Sequence, residues 1–387
     1  MYVFFQIVYN SIYSILNTLK SPFFWIVIGI IFFQYRKIGE MEKTILGRYK
    51  RSPKNNVVLS TIFGLIGGTI GSILFIYFGT IINSKDFYFI LFLAILLSLV
   101  HPRFMCFSYA GGFISMVSLI FGRPNINVPS IMYVIGVLHL VESFLILVDG
   151  KRGMAPIFVE RQGEIIGGFN MNRFWPVPFT VFMGNGQLYP VTVIAILGYG
   201  DYALTNFPEK KSKQTAGLLS IFSIILLLLA RLSLDYHIFK YIASIFAPVG
   251  HEIIINVGRK REEKKFYIFA PSNHGLKILD TLPNSIGERM GLVPGDILLS
   301  INGKRVYSKK DIEDILYFRP KLIYVDIFHR KKGLVSKEYK DYKNGISGLG
   351  IVVVSRFPEY ELVLEERKSF IFRLLKKIKK KKARFKN

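Results

Sequence analysis

The stretch Leu282-Pro-Asn-Ser-Ile-Gly-Glu-Arg-Met-Gly-Leu-Val-Pro-Gly-Asp-Ile-Leu-Leu-Ser-Ile-Asn-Gly303 decides how this 387-residue chain is organised. Ser285 supplies a hydroxyl acceptor for a helix N-terminus, and Gly291 tolerates the left-handed conformation that ends a short helix. Asp296–Ile301 then reads as a strand closed by the Asn302-Gly303 turn signal. Working outward, Phe266–Ala270 and Leu276–Thr281 read as two earlier strands around the turn Pro271-Ser-Asn-His-Gly275. Ser308 caps a helix over Lys309–Leu316, whose Ile312, Ile315 and Leu316 share an apolar face. Leu322–His329 and Gly348–Ser355 complete a small sheet. Residues 262–356 are therefore expected to form a compact α+β domain in water.

Upstream of about residue 258 the chain obeys a different solvent. Its apolar residues are clustered rather than alternating, and the whole sequence is 51% hydrophobic. An uncharged run of about 18 residues or more can cross a hydrocarbon core about 30 Å thick. Asn55–Ser84 qualifies without a charge, and Phe87–Val100, Phe104–Phe121, Ile131–Val148, Ala216–Ala230 and Ile238–Val249 are further candidates. With a hairpin from Met1–Leu19 and Pro22–Phe33, about eight crossings are expected in an α-helical polytopic domain over 1–257. No small-residue cleavage site follows the first apolar stretch, so a removable signal peptide is not expected.

The net charge of +25 invites a nucleic-acid reading, but its distribution opposes it. Basic residues gather in Gln34–Lys54, at Lys151, Arg152, Arg161 and Arg173, at Lys210, Lys211 and Lys213, and at Arg259–Lys265. That pattern is the positive-inside signature of cytoplasmic loops, and it places both termini and the α+β domain inside. Residues 175–202 break the parity: Pro176, Pro178, Gly184, Asn185, Gly186 and Pro190 interrupt any helix, so a pair of short helices or a re-entrant segment is expected there. Gly64, Gly67, Gly68 and Gly71 let helix backbones approach closely, for packing within the chain or for a homo-oligomer interface.

Chemistry is sparse. His251-Glu252 opens like a zinc-protease helix, but the position four residues after His251 is Ile255, where the second ligand would stand. Asp149 in Leu-Val-Asp-Gly150 resembles an aspartate of intramembrane metalloproteases, in the wrong order relative to the soluble domain. His139-Leu-Val-Glu142 places an imidazole and a carboxylate one turn apart in an apolar span, as an interhelical hydrogen bond or ion pair, or as a proton or metal site. The lone cysteine, Cys106, is read as excluding an internal disulfide and a cysteine-based zinc site. No nucleophile elbow, phosphate loop or dinucleotide fingerprint is present. No catalytic residue, metal ligand or cofactor is assigned, and the chain is not expected to be an enzyme.

The pattern Pro-Asn-Ser-x-x-x-x-x-Gly-Leu-x-x-Gly-Asp-x-Ile-Leu-x-Ile-Asn-Gly over 283–303 resembles a bacterial PDZ domain. The resemblance implies binding of an extended peptide beside the strand after the Gly turn, by strand addition. The amides near His274, Gly275 and Leu276 would receive a terminal carboxylate, with Leu276, Ile278, Ile312 and Leu316 lining the groove. Beyond the domain, residues 367–387 carry eleven Lys or Arg and no acid. Phe370, Leu374, Leu375 and Ile378 recur there at helical spacing, giving a basic amphipathic tail suited to anionic lipids.

A multi-spanning region joined to one C-terminal PDZ domain, taken with His101-Pro-Arg-Phe-Met-Cys-Phe, His139-Leu-Val-Glu, Gly168-Phe-Asn-Met-Asn-Arg-Phe-Trp-Pro-Val-Pro and Pro248-Val-Gly-His-Glu-Ile, looks like the MinJ family of Gram-positive rod-shaped bacteria. The resemblance implies a division-site topology factor at septa and poles, linking a DivIVA-like protein to the MinC–MinD inhibitor. Two rivals stand beside this adaptor reading: a PDZ-regulated membrane protease, and a transporter or sensor using His139, Glu142 and the 175–202 segment.

Overall fold

The computed structural model describes residues 2–161, 163–184, 189–263 and 266–356, with side chains described from residue 9; the basic tail at 367–387 lies outside the described residues. The helices α1 (Tyr2–Thr18), α2 (Pro22–Leu46) and α3 (Pro53–Tyr77) come first, followed by the two-residue strand β1 (Ile81–Ile82). Next are α4 (Ser84–Val100), a 3₁₀ turn at Pro102–Met105, α5 (Phe107–Phe121) and α6 (Val128–Asp149). Three strands follow, β2 (Met154–Arg161), β3 (Glu164–Met183) and β4 (Tyr189–Ala203), and then α7 (Pro208–Asp235) and α8 (Ile238–Glu262).

Among the described residues, four helical stretches are long and apolar enough to cross a bilayer: α3, Val128–Gly153, α7 and α8. Tyr9–Thr18 and Pro22–Leu46 pass that test only together, bent by 66°. Local chemistry sets the boundaries. Pro22 and Pro53 occupy first-turn positions where a missing N–H costs nothing, and Ser52 accepts from Asn55 N at 3.4 Å. Asn127 caps α6 by accepting from Ser130 N at 3.2 Å.

Residues 175–202 are not the short helices or re-entrant segment expected from the sequence: they belong to the long hairpin β3–β4. β3 pairs with β2 over 164–171 and with β4 over 169–183. From Asn172 to Val181, therefore, one edge of β3 has no strand beside it among the described residues, until β1 joins at Phe182. Buried backbone donors and acceptors must be paired, and α2 and α3 do most of that work. Phe174 N–H donates to the Tyr35 hydroxyl at 3.0 Å, and that hydroxyl lies 3.2 Å from the Phe174 carbonyl, to which it donates. Thr180 N–H donates to Ser72 Oγ at 2.8 Å. The two residues of the same parity between them are Pro176 and Pro178, which carry no N–H to satisfy. Their carbonyl oxygens lie against Gly64 and Gly68, where any Cβ would overlap them. The glycine face thus packs within the chain, with Gly67 and Gly71 turned to Val141 and Leu145 of α6.

One buried hub locks this hairpin to α6. Asp149 accepts from Arg173 Nε at 2.7 Å and from Trp175 Nε1 at 2.8 Å, and it also pairs with Arg152 at 3.2 Å. Arg173 and Trp175 are wholly buried. Asp149 is therefore an ion-pair anchor, which removes the reading of it as a metal ligand. A second hub surrounds the buried Lys211, which meets Asp201 at 3.4 Å and Glu262 at 3.2 Å. Glu262 also accepts from the amides of Leu204 and Thr205, both at 2.8 Å.

The C-terminal domain comprises β5 (Leu276–Thr281), α9 (Ile286–Arg289), β6 (Ile297–Ile301), β7 (Lys304–Arg305), α10 (Lys309–Leu316), β8 (Leu322–His329), β9 (Gly333–Lys340) and β10 (Ile351–Val354). Its sheet runs β10-β5-β6-β8-β9, with β7 hairpinned onto β6. Ser285 and Ser308 cap α9 and α10 as the sequence indicates, and Asn302 and Gly303 both take positive φ in the turn. Phe266–Ala270 does not form the expected strand. It crosses the β2–β3 hairpin instead, with Ile268 N–H on Leu204 O at 3.2 Å and Gly167 N–H on Phe269 O at 3.0 Å.

Candidate functional site

The domain sits directly on the helical part. Lys50, in the loop after α2, pairs with the buried Asp280 of β5 at 2.7 Å, and Arg48 donates to Pro283 O at 2.7 Å. Phe207 lies beneath Gly295 and the Arg330 guanidinium, and Val354 meets Gly167 of β3. One face of the small sheet is consumed by this docking: Leu279, Val352 and Val354 belong to the apolar cluster of the helical part. The other face builds the domain's own core.

The residues that the sequence marks as peptide-binding fall mainly into that core. Leu276, Ile278, Ile312 and Leu316 come together as expected, but as a closed inner layer, with Ile278 fully buried. β5 is flanked by β10 over Lys277–Thr281 and by β6 at Leu276–Lys277. Over Lys277–Ile278, just after the glycine turn, both edges are therefore taken, since Ile278 also exchanges backbone bonds with Gly295 and Asp296, and a peptide strand cannot add there. Gly275 is pressed against the Leu298 carbonyl, where a Cβ would overlap. The His274 side chain is exposed on the loop, and its amide already donates to Ser272 Oγ at 3.2 Å.

The open edge lies one strand further out. Among the described residues β10 pairs only with β5. It emerges from a second glycine turn, Gly348-Leu349-Gly350, in which Gly350 takes φ +64° and its carbonyl accepts from Leu282 N at 2.9 Å. Leu349 is buried, and its carbonyl accepts from Gly287 N at 2.7 Å, which fixes the turn to α9. Ile351 and Val353 are half-buried and pack on the same core cluster that contains Ile312 and Leu316 of α10. An extended peptide laid along β10 would find, among the described residues, no strand on one side and apolar side chains from β10 and α10 below it. That is the physical requirement for strand addition. The sequence carries the signal as Gly-Leu-Gly before an apolar run, but the earlier His274-Gly275 turn competes for the same reading.

Comparison with known proteins agrees with this architecture. The family profile described as PDZ domain matches residues 278–321, from β5 through α10. The chain is also similar to the "Cell division topological determinant MinJ" of Bacillus subtilis (strain 168), with 22% identity over 253 residues. That match covers 61% of this chain and 64% of the relative's length, so it reaches well beyond the PDZ region.

Proposed function

The chain is a MinJ-like membrane protein with a C-terminal PDZ domain, and we propose that it is a membrane-anchored adaptor in bacterial cell division, recruiting cytoplasmic division-site proteins of the DivIVA and MinD types. The observation that carries this reading is the open β10 edge, held at a fixed orientation on apolar helices by Lys50–Asp280 and Phe207. Such a molecule acts by deciding where other proteins sit, without chemistry on them. Confining partners to a surface raises their effective concentration, so modest affinities suffice. The exposed basic loops favour a cytoplasmic side for the termini and the PDZ domain. The tail at 367–387 adds attraction to anionic lipids, on the order of 1 kcal/mol per basic group near the headgroups.

The test is affinity purification of the full chain from membranes, comparing Ile351→Lys with Lys332→Ala. The first inserts a charge beside the open edge and should lose the bound division proteins while the chain stays folded. The second, on the exposed β8–β9 turn, should retain them. In cells, deletion should give misplaced septa or filaments, and the Ile351→Lys variant should reproduce much of that defect. Normal septum placement in the deletion strain would overturn the proposal.

A further inference from the structure

Cys106, His139 and His251 are far apart in sequence, yet the fold brings one donor atom from each within 4.8 Å of the others. Cys106 Sγ lies 3.1 Å from His139 Nε2 and 3.8 Å from His251 Nε2. The three residues come from three separate segments: the turn into α5, the middle of α6 and the C-terminal half of α8. Each segment is held by contacts independent of the cluster. Ser108 Oγ donates to Ala247 O at 2.7 Å, and Gly112 is so close to Pro248 and the Ser244 carbonyl that no Cβ fits.

The outer nitrogen of each imidazole is already engaged. His139 Nδ1 is 2.7 Å from the Ile135 carbonyl, which can only accept, so Nδ1 carries the proton and Nε2 presents a lone pair toward Cys106. Tyr109 donates its hydroxyl to Glu252 at 2.7 Å and thereby leaves its oxygen to accept from His251 Nδ1 at 3.3 Å. The second Nε2 is bare for the same reason. Two imidazoles with their distal N–H groups fixed by a carbonyl and by a carboxylate-backed hydroxyl have the outer-shell arrangement that orients metal-ligating histidines. Glu142 stands one turn after His139 on α6, half-buried, and makes no hydrogen bond or ion pair among the described residues. Cys106 and His251 are half-buried too.

We propose that Cys106, His139 and His251 form a metal site for zinc(II). One thiolate and two neutral imidazoles suit a borderline-soft divalent ion, and the two sulfur-to-nitrogen separations, 3.1 and 3.8 Å, match the edges of a tetrahedron with bonds of about 2.0–2.3 Å. Binding expels the thiol proton and ties α5, α6 and α8 together. Three protein donors leave a fourth position for water. The single cysteine excludes a cysteine-only site but not this mixed one.

The full chain, purified in mild detergent and stripped with chelator, is titrated with zinc(II) and separately with cobalt(II). The wild type should retain about one zinc per chain, and its cobalt form should show a thiolate-to-metal charge-transfer band. Cys106→Ala and His251→Ala should each lower retention at least tenfold, with size-exclusion profile and helical circular dichroism unchanged. Tyr109→Phe leaves all three ligands in place and should weaken affinity by roughly 10–100-fold, the usual consequence of losing an outer-shell partner. Ile351→Lys, in the distant PDZ domain, should bind zinc as the wild type does. No zinc retained by the folded wild type, or equal retention by wild type and Cys106→Ala, would overturn the site. Retention of copper(I) with no retention of zinc would overturn the choice of ion.

Discussion

Two strand edges in this molecule are treated in opposite ways. The edge of β3 from Phe174 to Thr180 is shut: hydroxyls of Tyr35 and Ser72 take the N–H groups of Phe174 and Thr180, prolines delete the two between them, and glycines of α3 press on the Pro176 and Pro178 carbonyls. The edge of β10 carries no proline, is preceded by a glycine turn, and has no strand beside it among the described residues. An unpaired edge in an apolar setting costs several kcal/mol per orphaned group, so it must be sealed. An unpaired edge at a water-facing surface invites another strand and is kept only where pairing is wanted or managed. The difference sets β3 apart as framework and leaves β10 as the edge on which the proposed adaptor reading rests.

The strongest way to break the sealed edge is to push the helix off it. Gly68→Leu places a side chain where the Pro178 carbonyl already sits, and the backbone has no room to yield. The expected outcome is loss of monodisperse protein after detergent extraction. At Gly217 of α7, by contrast, an added Cβ would meet nothing within 4 Å, and Gly217→Ala should keep the yield and raise helix stability by up to about 1 kcal/mol. Similar yields from the two variants would mean that α3 does not rest on β3.

Asp149→Ala comes next. It leaves the wholly buried Arg173 guanidinium without its carboxylate, and breaking a buried pair by removing one partner costs about 3–5 kcal/mol. Thermal unfolding in detergent should shift markedly downward. The double variant Asp149→Ala, Arg173→Met should recover part of the loss, because no unpaired charge remains. A double variant no better than the single one would mean that Arg173 finds another partner.

Ser72→Ala is milder. It removes only the acceptor for Thr180 N–H, and an orphaned buried donor costs about 1–3 kcal/mol. Hydrogen exchange at Thr180 should accelerate, with the rest of β3 little changed. An unchanged rate would show that water or another group closes that position.

How far these edges can be read from the sequence differs for a physical reason. The PDZ region is legible because its signals are local: the caps at Ser285 and Ser308 and the Asn302-Gly303 turn. Each is settled by neighbours within a few residues. The β3–β4 hairpin is illegible because Pro176 and Pro178 are ordinarily evidence against a central strand. They are permitted here only because the face they leave bare meets glycines more than a hundred residues earlier. The groove is half legible. The sequence groups the core residues Leu276, Ile278, Ile312 and Leu316 correctly, but which strand lies outermost depends on β10 returning beside β5, a long-range pairing that no periodicity reveals. The cluster of Cys106, His139 and His251 is a tertiary product of the same kind, although each residue stands out as a polar side chain in an apolar stretch.

The smallest expected effect concerns the helix that flanks the open edge. α10 begins with a reciprocal cap: Ser308 Oγ accepts from Asp311 N at 3.2 Å, and the Asp311 carboxylate accepts from the amides of Tyr307 and Ser308, both at 2.8 Å. These bonds, that from Tyr307 foremost, hold the Asp311 carboxyl below the usual carboxylate range. A carboxylate with a depressed folded-state pKa contributes stability that is complete above its unfolded value, about 3.9, and is lost as the pH falls through the lower folded value. Asp311→Ala removes this half of the cap and should cost about 1 kcal/mol at neutral pH. The difference in hydrogen-exchange protection across Lys309–Leu316 between wild type and variant should therefore be constant from pH 7 to about pH 5 and shrink in acid. Because α10 supplies Ile312 and Leu316 to the layer beneath Ile351 and Val353, fraying its first turn should weaken peptide capture at β10 only slightly, leaving the sealed β3 edge untouched. A difference that persists undiminished in acid would mean that the helix start is held by Ser308 and backbone geometry alone.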